Sequence, residues 1–451
     1  MSSETTHGAR PWLDRVLGTE PEDDRRYIVY LLAIALAGWA LASYDFNLLV
    51  AGLPTIAKDL HLTQSQVGLL AFLVYAAMLV LSLLAGYSMD RFGRKVMWQW
   101  VLVGAAVFTG LTYFVHGFWS LVVVRALASG LANSELAISI TLVNEQVPAR
   151  RRGMLYAIVQ GAWPLGVVLA TVVFLVFNST LGIDWHIIFL FGVIPLVMVI
   201  IGRRWLRPSR RFQELQEIRA AKRSGDEDRV RDLLERYRVD EQAVAKVTVG
   251  QLFSTPGWVR SQLLRTSVVW LLYSAGFVAT NTYIVSWLTT YRGFSPSRAL
   301  LLLLIASGVG FGFYVLGGVL GERFGRQRVL VASAAAALVL NVGFYYAGPT
   351  WLVWALYILV YQATNGTWSG TGYAYWAESF PTRVRGTAVG WLGAMFTGGL
   401  ILGSGVWTLV IGPLGAVTLL YVGAGFALLQ LAASLFLPHI PPGQELEDIA
   451  T

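Results

Sequence analysis

The stretch Gly86-Tyr-Ser-Met-Asp-Arg-Phe-Gly-Arg-Lys95 is charged, contains two glycines and separates two long apolar runs. It recurs downstream as Gly318-Val-Leu-Gly-Glu-Arg-Phe-Gly-Arg-Gln327. A second motif, Glu145-Gln-Val-Pro-Ala-Arg-Arg-Arg-Gly153, returns at nearly the same offset as Glu378-Ser-Phe-Pro-Thr-Arg-Val-Arg-Gly386. Two different motifs repeated in the same order indicate that the chain contains two copies of one structural unit.

Each charged stretch is predicted to be the turn at which one apolar helix ends and the next begins. Glycines permit such a tight turn, and a lone acidic residue is stabilised when it faces a helix N-terminus. The turn is either a fixed topological element or a latch that holds one conformation closed and releases in another. The candidate gating residues of the two motifs are Gly86, Asp90, Arg91, Gly93, Arg94, Glu145, Arg152, Glu322, Arg323, Arg326, Glu378 and Arg385.

The composition places the chain in a membrane. Hydrophobic residues make up 56% of it and charged residues only 13%. Apolar runs of about twenty residues, the length needed to cross a bilayer as a helix, recur between Tyr27 and Leu437. The sequence therefore predicts an all-α protein with many membrane spans. It contains no cysteine, which excludes disulfides and thiolate metal sites.

Basic residues are concentrated in alternate loops. They lie at 91–95, 150–152, 203–265, 323–328 and 383–385, whereas the intervening loops hold Lys58, Arg292 and Arg298. This asymmetry predicts insertion in the cell membrane with an even number of spans and both termini in the cytoplasm. It also explains the net charge of +8 without nucleic acid as a partner. Because residues 1–26 lack a signal-peptide pattern and the apolar run after them is long, we expect an uncleaved first span.

Twelve spans are predicted, arranged as two six-helix halves. They cover roughly 27–52, 66–89, 96–116, 118–143, 153–177, 185–206, 265–290, 298–320, 328–347, 350–376, 386–411 and 415–437. The predicted division is a cytoplasmic segment 1–26, an N-terminal half 27–206, a linker 207–264, a C-terminal half 265–437 and a cytoplasmic tail 438–451.

The linker carries apolar residues at helical spacing among many charges. They are Phe212, Leu215 and Ile218, followed by Val230, Leu233, Leu234 and Tyr237. We expect short amphipathic helices beneath the bundle, serving as a solvated connector or as a platform for a partner.

These features resemble the major facilitator superfamily, across nearly the whole chain. The stretch Glu378–Ala388 resembles the branch that holds sugar porters and organic-acid/proton symporters. Trp287-Leu-Thr-Thr-Tyr291 is similar to the organic-acid symporters, which commonly have proline where Thr289 stands. The resemblance implies alternating access, in which two halves rock about a site near the bilayer midplane. It implies a transporter without a cofactor, and we expect it to function as a monomer.

Three charged residues fall inside the predicted spans: Asp45, Arg125 and Glu135. Such charges are costly in a membrane and are by default functional. Asp45 and Arg125 each lie about 7 residues from the outer end of their span, hence about 10 Å below it. They can form an ion pair if the first and fourth spans are neighbours. The resemblance supports this, because proton-coupled sugar porters carry a matching Asp and Arg in these spans.

The hypothesis is that Asp45 carries the proton and Arg125 switches it. Burial favours a protonated carboxyl group, whereas a nearby guanidinium favours the ionised form. The alternatives are a static pair that neutralises two buried charges, or an Arg125 that binds a substrate carboxylate. Glu135 lies about 15 Å further toward the cytoplasm, where a second proton carrier, an inner gate and a packing role remain open. The five histidines lie at or beyond span ends, which disfavours a histidine relay.

Uncharged polar and aromatic residues in the fifth, seventh and tenth spans are candidates for binding a small solute. They are Gln160, Trp163, Tyr273, Asn281, Tyr283, Gln362, Asn365, Trp368 and Tyr373. The alternative for each is a hydrogen bond between helices or a place in an interfacial aromatic belt.

The predicted function is proton-coupled symport of a small organic acid. A proton-coupled efflux antiporter, a sugar:proton symporter and a receptor that binds solute without transport are the alternatives, and sodium could replace the proton. The fifth span has Trp163 where exporters usually have the glycine before Pro164. An enzyme is disfavoured, since no nucleophile–base set, metal cluster or phosphate loop is visible.

Overall fold

A computed structural model describes residues 25–92, 94–146, 159, 161–202, 217–218, 221, 224, 226–236, 253, 257–380 and 382–440. Long apolar helices dominate this part of the chain, which contains no β-strand. Eight of its helices are long and apolar enough to cross a membrane, and two shorter apolar helices cover Phe118–Ser134 and Leu420–Ser434. The predicted class, a multi-spanning helical membrane protein, follows from these lengths.

The structure describes six helices in the first repeat. They are α1 (Arg25–Asp59), α2 (Gln64–Phe92), α3 (Arg94–Leu111), α4 (Phe118–Gln146), α5 (Trp163–Val173) and α6 (Trp185–Gly202). A 3-10 turn, Thr112–Phe114, ends α3, and a π-helical segment, Phe174–Thr180, extends α5.

The second repeat follows a linker helix, α7 (Glu227–Arg236). Its helices are α8 (Trp258–Phe277), α9 (Ile284–Tyr291), α10 (Pro296–Gly308), α11 (Gly310–Phe324), α12 (Arg326–Tyr346), α13 (Thr350–Tyr361), α14 (Thr367–Glu378), α15 (Thr382–Leu414) and α16 (Gly425–Ser434). Between them lie the 3-10 turn Gly415–Val417 and the π-helical segments Val278–Thr282, Gln362–Gly366 and Leu420–Ala424.

The second charged turn has the predicted form. Helix α11 ends at Phe324 and α12 begins at Arg326, with Gly325 between them at a φ of 91°. A side chain at this position would be strained by that φ, and its Cβ would lie 2.9 Å from the ring of His439. The first turn is equally short, because α2 ends at Phe92 and α3 begins at Arg94.

Two predicted spans differ in detail from the helices. The seventh begins at Trp258 rather than at 265, so the end of the predicted linker is helical. Trp258 anchors this start by donating from Nε1 to the Ser379 carbonyl oxygen at 3.4 Å, while Arg260 and Arg265 are exposed. The eighth span is divided at Val309 between α10 and α11. Glycines on both sides of Val309 weaken the helix there.

The linker is only partly described. Val230 and Leu233 of α7 pack with Ile218 and Ala221, as the amphipathic pattern predicts. Phe212, Leu215 and Tyr237, and the side chain of Leu234, lie outside the described residues.

The two repeats pack closely against each other. Helix α2 lies along α15, α5 contacts α10, and α1 contacts α9. At Gly68 of α2, an added Cβ would lie 2.5 Å from Thr408 Oγ1 of α15. Small residues at such contacts let helix backbones approach where hydrophobicity cannot drive association.

Candidate functional site

Asp45 of α1 and Arg125 of α4 form an ion pair with both side chains at 0% exposure. Arg125 donates from Nη2 to Asp45 Oδ2 at 3.0 Å and from Nη1 to Oδ1 at 3.3 Å. Nη2 also donates to the Asp45 carbonyl oxygen at 2.9 Å. The first and fourth helices are therefore neighbours, and the pair that the matched depths predicted is present. A charge taken out of water in this way needs such partners.

The residues around the pair come from α4 itself and from two other helices. Thr109 of α3 donates a hydrogen bond to Asp45 Oδ1, and Ser129 Oγ lies 3.2 Å from Arg125 Nη2. The Arg125 guanidinium lies 4.9 Å from the centre of the Phe189 ring of α6. Arg125 Nε is buried without a hydrogen-bond partner. Sequence reasoning missed these neighbours, although Ser129 lies one helical turn from Arg125.

A cavity between the two repeats, here the inter-repeat cavity, lies apart from this pair. Its lining residues are Phe46, Asn47, Trp163, Val167, Phe277, Asn281, Leu303 and Tyr361. Its volume is about 10 Å³, room for roughly one water molecule. A second cavity of similar volume between α1 and α2 is almost entirely apolar and reaches Tyr75 and Thr282. Neither of these two spaces is large enough for an organic solute in this conformation.

Arg125 does not line the inter-repeat cavity. Its guanidinium is occupied by groups of α1 and α4 and faces the interior of the first repeat. This arrangement does not support the alternative in which Arg125 binds a substrate carboxylate.

Aromatic rings form one side of the inter-repeat cavity. The Trp163 ring centre lies 5.2 Å from that of Trp39 and 5.9 Å from that of Phe46. Ser43 donates to the Trp163 carbonyl oxygen at 2.8 Å, which fixes the start of α5 on α1. Flat, polarisable surfaces of this kind favour a ligand with a planar unsaturated group.

Amides and a hydroxyl supply the polar groups of the cavity. Asn365 Nδ2 donates to Asn281 Oδ1 at 2.8 Å, and Asn47 Nδ2 donates to the Ser43 carbonyl oxygen at 2.8 Å. The hydroxyl of Tyr361 is buried and has no hydrogen-bond partner. A buried hydroxyl without a partner is costly, which makes it a candidate for contact with a ligand. Asn47 and Tyr361 were not among the residues predicted from sequence.

The other predicted binding residues form contacts between helices. Tyr283 donates to the Gly68 carbonyl oxygen at 3.2 Å, Tyr273 to that of Thr364 at 2.8 Å, and Gln362 to that of Ala306 at 2.7 Å. The Trp368 ring stacks on Tyr273 at 5.1 Å, and Tyr373 lies 5.2 Å from Trp270. In this conformation these side chains hold helices together. Gln160 lies outside the described residues.

Three polar contacts join the repeats at one end of the molecule. The Tyr75 and Thr282 hydroxyls lie 2.6 Å apart, and Gln64 Nε2 donates to Thr290 Oγ1 at 3.4 Å. The third is the bond from Tyr283 to Gly68. All three connect α2 to the segment formed by Val278–Thr282 and α9. These contacts attach the first half of α2 to the second repeat.

Comparison with known proteins decides the family. The family model described as Major Facilitator Superfamily matches residues 35–404. The chain belongs to the major facilitator superfamily. It is a transporter and not an enzyme, in agreement with the prediction.

Relatives of this superfamily member share about a quarter of its residues. A "probable 4-methylmuconolactone transporter" of Cupriavidus pinatubonensis is 26% identical over 87% of this chain and 86% of its own length. A niacin transporter of Acinetobacter baylyi is 25% identical over 81% of this chain and 83% of its own. A 4-hydroxybenzoate transporter of the same species is 27% identical over 80% of this chain and 79% of its own.

Solved structures show the same fold. The xylose transporter of Escherichia coli, in a partially occluded inward-open conformation, matches with a TM-score of 0.70 and 16% identity, over 93% of this chain and 100% of that chain. A crystal structure of a D-xylose-proton symporter also gives a TM-score of 0.70, with 18% identity over 93% and 100%. This chain therefore has the fold of the superfamily.

The two motifs of the second repeat contact each other in this structure. Arg326, at the charged turn, pairs with Glu378 of the second motif through Nε and Nη2, at 2.5 and 2.6 Å. Glu322 and Arg323 are exposed, and the Arg323 guanidinium lies 5.5 Å from the Phe324 ring.

In the first repeat the corresponding side chains lie outside the described residues. They are those of Gly86, Asp90, Arg91, Gly93, Arg94, Glu145 and Arg152, together with Glu135, and in the second repeat Arg385. Among the side chains that the structure does describe, no group of three or more histidines, aspartates and glutamates could hold a metal ion.

Proposed function

We propose that this protein is a proton-coupled symporter of small organic acids that works by alternating access. Twelve spans, arranged as pseudo-symmetric halves 27–206 and 265–437, would rock about the inter-repeat cavity. The repeated motifs and the close packing of α2 on α15 support this arrangement. The protein would function as a monomer in the cell membrane, in contact with its lipids. The segments 1–26, 207–264 and 438–451 would be cytoplasmic, as the distribution of basic residues indicates.

The observation that carries the proposal is the fully buried pair of Asp45 and Arg125. While Arg125 contacts Asp45, it favours the ionised carboxylate. A movement that separates them leaves a buried carboxylate without its counter-charge, and this carboxylate then takes up a proton. Two positions of one guanidinium thus provide proton binding in one state and proton release in the other. Glu135 is proposed as a second group on the proton path.

The contents of the inter-repeat cavity support a planar unsaturated acid as substrate. Trp163 and Phe46 offer ring faces, while Asn47, Asn281 and the unpartnered Tyr361 hydroxyl offer donors to a carboxylate. The 4-hydroxybenzoate and niacin transporters, whose named substrates are aromatic acids, support the same class. The helix contacts of Tyr273, Tyr283, Gln362, Asn365 and Trp368 would rearrange when the cavity opens.

The charged motifs are proposed to act as cytoplasmic latches. The pair of Arg326 and Glu378 supports this proposal, because it joins the two motifs of the second repeat. The corresponding residues of the first repeat would form an equivalent latch.

The test is proton movement in liposomes that contain the purified protein and a pH-sensitive dye. Pools of aromatic and aliphatic acids, sugars and lipophilic cations are added outside. Protein-free liposomes correct for acids that cross the lipid in neutral form. Asp45→Asn is compared with Asp228→Asn, which changes an exposed linker carboxylate in the same way. Symport of an acid acidifies the lumen with wild type and Asp228→Asn and does so far less with Asp45→Asn.

Other outcomes would replace the proposal. Acidification by sugars alone would make the protein a sugar:proton symporter. Alkalinisation driven by lipophilic cations would make it an efflux antiporter. If no pool moves protons but an imposed sodium gradient drives uptake, the coupling ion is sodium.

A further inference from the structure

His186 lies in the first turn of α6, with its two ring nitrogens against two different acceptors. Nδ1 lies 2.6 Å from Asp184 Oδ1, and Nε2 lies 2.8 Å from the carbonyl oxygen of Val115, just beyond the end of α3. The His186 side chain is 14% exposed, whereas that of Asp184 is 57% exposed. Asp184 Oδ1 also accepts from the His186 backbone N–H at 2.8 Å, which keeps the carboxylate in place.

A carboxylate and a peptide carbonyl can only accept hydrogen bonds, whereas a neutral imidazole carries a single N–H. Both contacts are therefore hydrogen bonds only when His186 is doubly protonated. Loss of one proton removes one of them and leaves a nitrogen lone pair facing an oxygen. A doubly protonated imidazole can satisfy both contacts at once.

Some of the groups around His186 favour the protonated imidazole and others disfavour it. The N-terminus of α6 disfavours a cation, and the carboxylate of Asp184 offsets it. Trp185 stacks on the imidazole with ring centres 3.6 Å apart, a contact that favours a cation. The remaining titratable groups nearby are His116, with its ring centre at 5.7 Å, Tyr113 at 6.5 Å, and Asp59, which accepts from Trp185 Nε1 at 3.1 Å.

Packing connects this corner to the buried ion pair. The Trp185 ring meets that of Phe189 edge to face, with centres 6.0 Å apart. Phe189, one turn along α6, carries the Arg125 guanidinium over its ring at 4.9 Å. The contact of His186 with Val115 attaches the start of α6 to the segment just after α3, three residues before Phe189.

We propose that His186 is a positioning residue that senses proton concentration at the outer surface and sets the placement of Arg125. Protonated, it docks α6 on the end of α3 and holds Phe189 under the guanidinium, so that Arg125 re-forms its pair with Asp45 in each cycle. Deprotonated, it releases one bond and loosens that support. The inference rests on the proposed function for its transport consequence and for the assignment of this corner to the outer face. The docking itself does not depend on either.

The first experiment is the pH dependence of apparent unfolding temperature, which needs no transport. His186→Gln keeps one side-chain donor and cannot become charged. His116→Gln is the control, because His116 is an exposed neighbour. Wild type and the control are expected to unfold at higher temperature than His186→Gln at pH 5.5, with the margin shrinking toward pH 8.5. A margin that is constant with pH, or absent, would overturn the docking. Asp184→Asn removes the charge but keeps an acceptor. At pH 5.5 its unfolding temperature is expected to exceed that of His186→Gln by less than that of wild type does.

The second experiment is uptake at fixed inner pH and varied outer pH. We expect wild type to exceed His186→Gln on the order of three- to tenfold at outer pH 5.5 and to approach it at pH 8.5. His116→Gln follows wild type, and variation of the inner pH leaves the ratio unchanged. An equal loss at every outer pH would reduce His186 to a structural residue. Docking confirmed by unfolding, together with a wild type that moves no protons, would refute the proposed function and leave the docking intact.

Discussion

Arg326 donates two parallel hydrogen bonds to Glu378, from Nε to Oε2 at 2.5 Å and from Nη2 to Oε1 at 2.6 Å. The bond pair joins the first residue of α12 to the last residue of α14, and thus the charged turn to the second repeated motif. Two-pronged pairs of this type are geometrically specific. Because the Glu378 side chain is 39% exposed, solvent screens the interaction, and its contribution to stability is small. A weakly stabilising contact of this kind can break at low energetic cost, as the proposed latch requires.

Glu378→Gln is expected to lower transport several-fold while changing the free energy of unfolding by about 1 kcal/mol or less. The neutral amide keeps an acceptor but loses the charge that holds the guanidinium. Uptake rate and unfolding temperature are measured on the same preparation. The exchanged double variant Arg326→Glu with Glu378→Arg should recover part of the rate. Unchanged uptake in Glu378→Gln would show that the pair is only a structural element.

The buried pair of Asp45 and Arg125 predicts strong coupling in a double-mutant cycle. Arg125→Met leaves an unpaired buried carboxylate and is expected to cost about 3–5 kcal/mol. The double variant Asp45→Asn with Arg125→Met should be more stable than Arg125→Met alone, because no charge then remains buried. Unfolding temperatures in one detergent measure the cycle. If the destabilisation of the double variant equals the sum of the two single effects, the two side chains do not interact in the purified protein.

Tyr361→Phe removes only the buried hydroxyl of a residue that lines the inter-repeat cavity. Since that hydroxyl has no hydrogen-bond partner in this conformation, stability is expected to stay the same or rise slightly. Substrate affinity is expected to fall about five- to tenfold through the loss of one hydrogen bond. Tyr357→Phe is the matched control, because the Tyr357 hydroxyl donates to the Thr280 carbonyl oxygen at 3.0 Å. Tyr357→Phe should lose stability with little change in substrate affinity. A loss of affinity in Tyr357→Phe and none in Tyr361→Phe would contradict the assignment of Tyr361 to the binding site.

The contact between Gln64 and Thr290 offers a test of closure. Because the chain has no cysteine, a pair introduced as Gln64→Cys and Thr290→Cys can be joined by a short thiol crosslinker without background reaction. The two side chains approach to 3.4 Å across the repeats, so we expect rapid crosslinking and loss of transport that reductant-cleavable linkers reverse. Each single-cysteine variant serves as control. Full transport by the crosslinked protein would show that this end does not open during the cycle.

Local patterns in the sequence predicted the class of the protein and much of its helix order. Run length, loop charge and repeated motifs are properties of short segments, so they can be interpreted without knowing which helices touch. The depth of Asp45 and Arg125 follows from the helical rise alone, and it anticipated their pairing. The same rules missed the break at Val309, although Gly308 and Gly310 on either side are a local signal for it. They also missed the early start of α8, which depends on the contact of Trp258 with Ser379.

The direction in which each side chain points was decided by tertiary structure. In a membrane helix the lipid-facing and core-facing sides are both apolar, so periodicity gives little information about the buried face. Tyr361 and Gln362 are adjacent, yet only Tyr361 lines the inter-repeat cavity, while Gln362 begins a π-helical segment and bonds to α10. Asp45 and Asn47 likewise point to different places, one to Arg125 and the other to the cavity.

The sequence by itself thus indicated a helical membrane protein with two repeats and placed an acid and a base at the same depth in two of its spans. Only the tertiary structure decided that the pair is sealed within the first repeat, that Phe189 lies under Arg125, and that Asn47 and Tyr361 face the space between the repeats. The physical reason is that segment length and charge are local, whereas the rotation of each helix about its axis depends on every neighbour against which it packs.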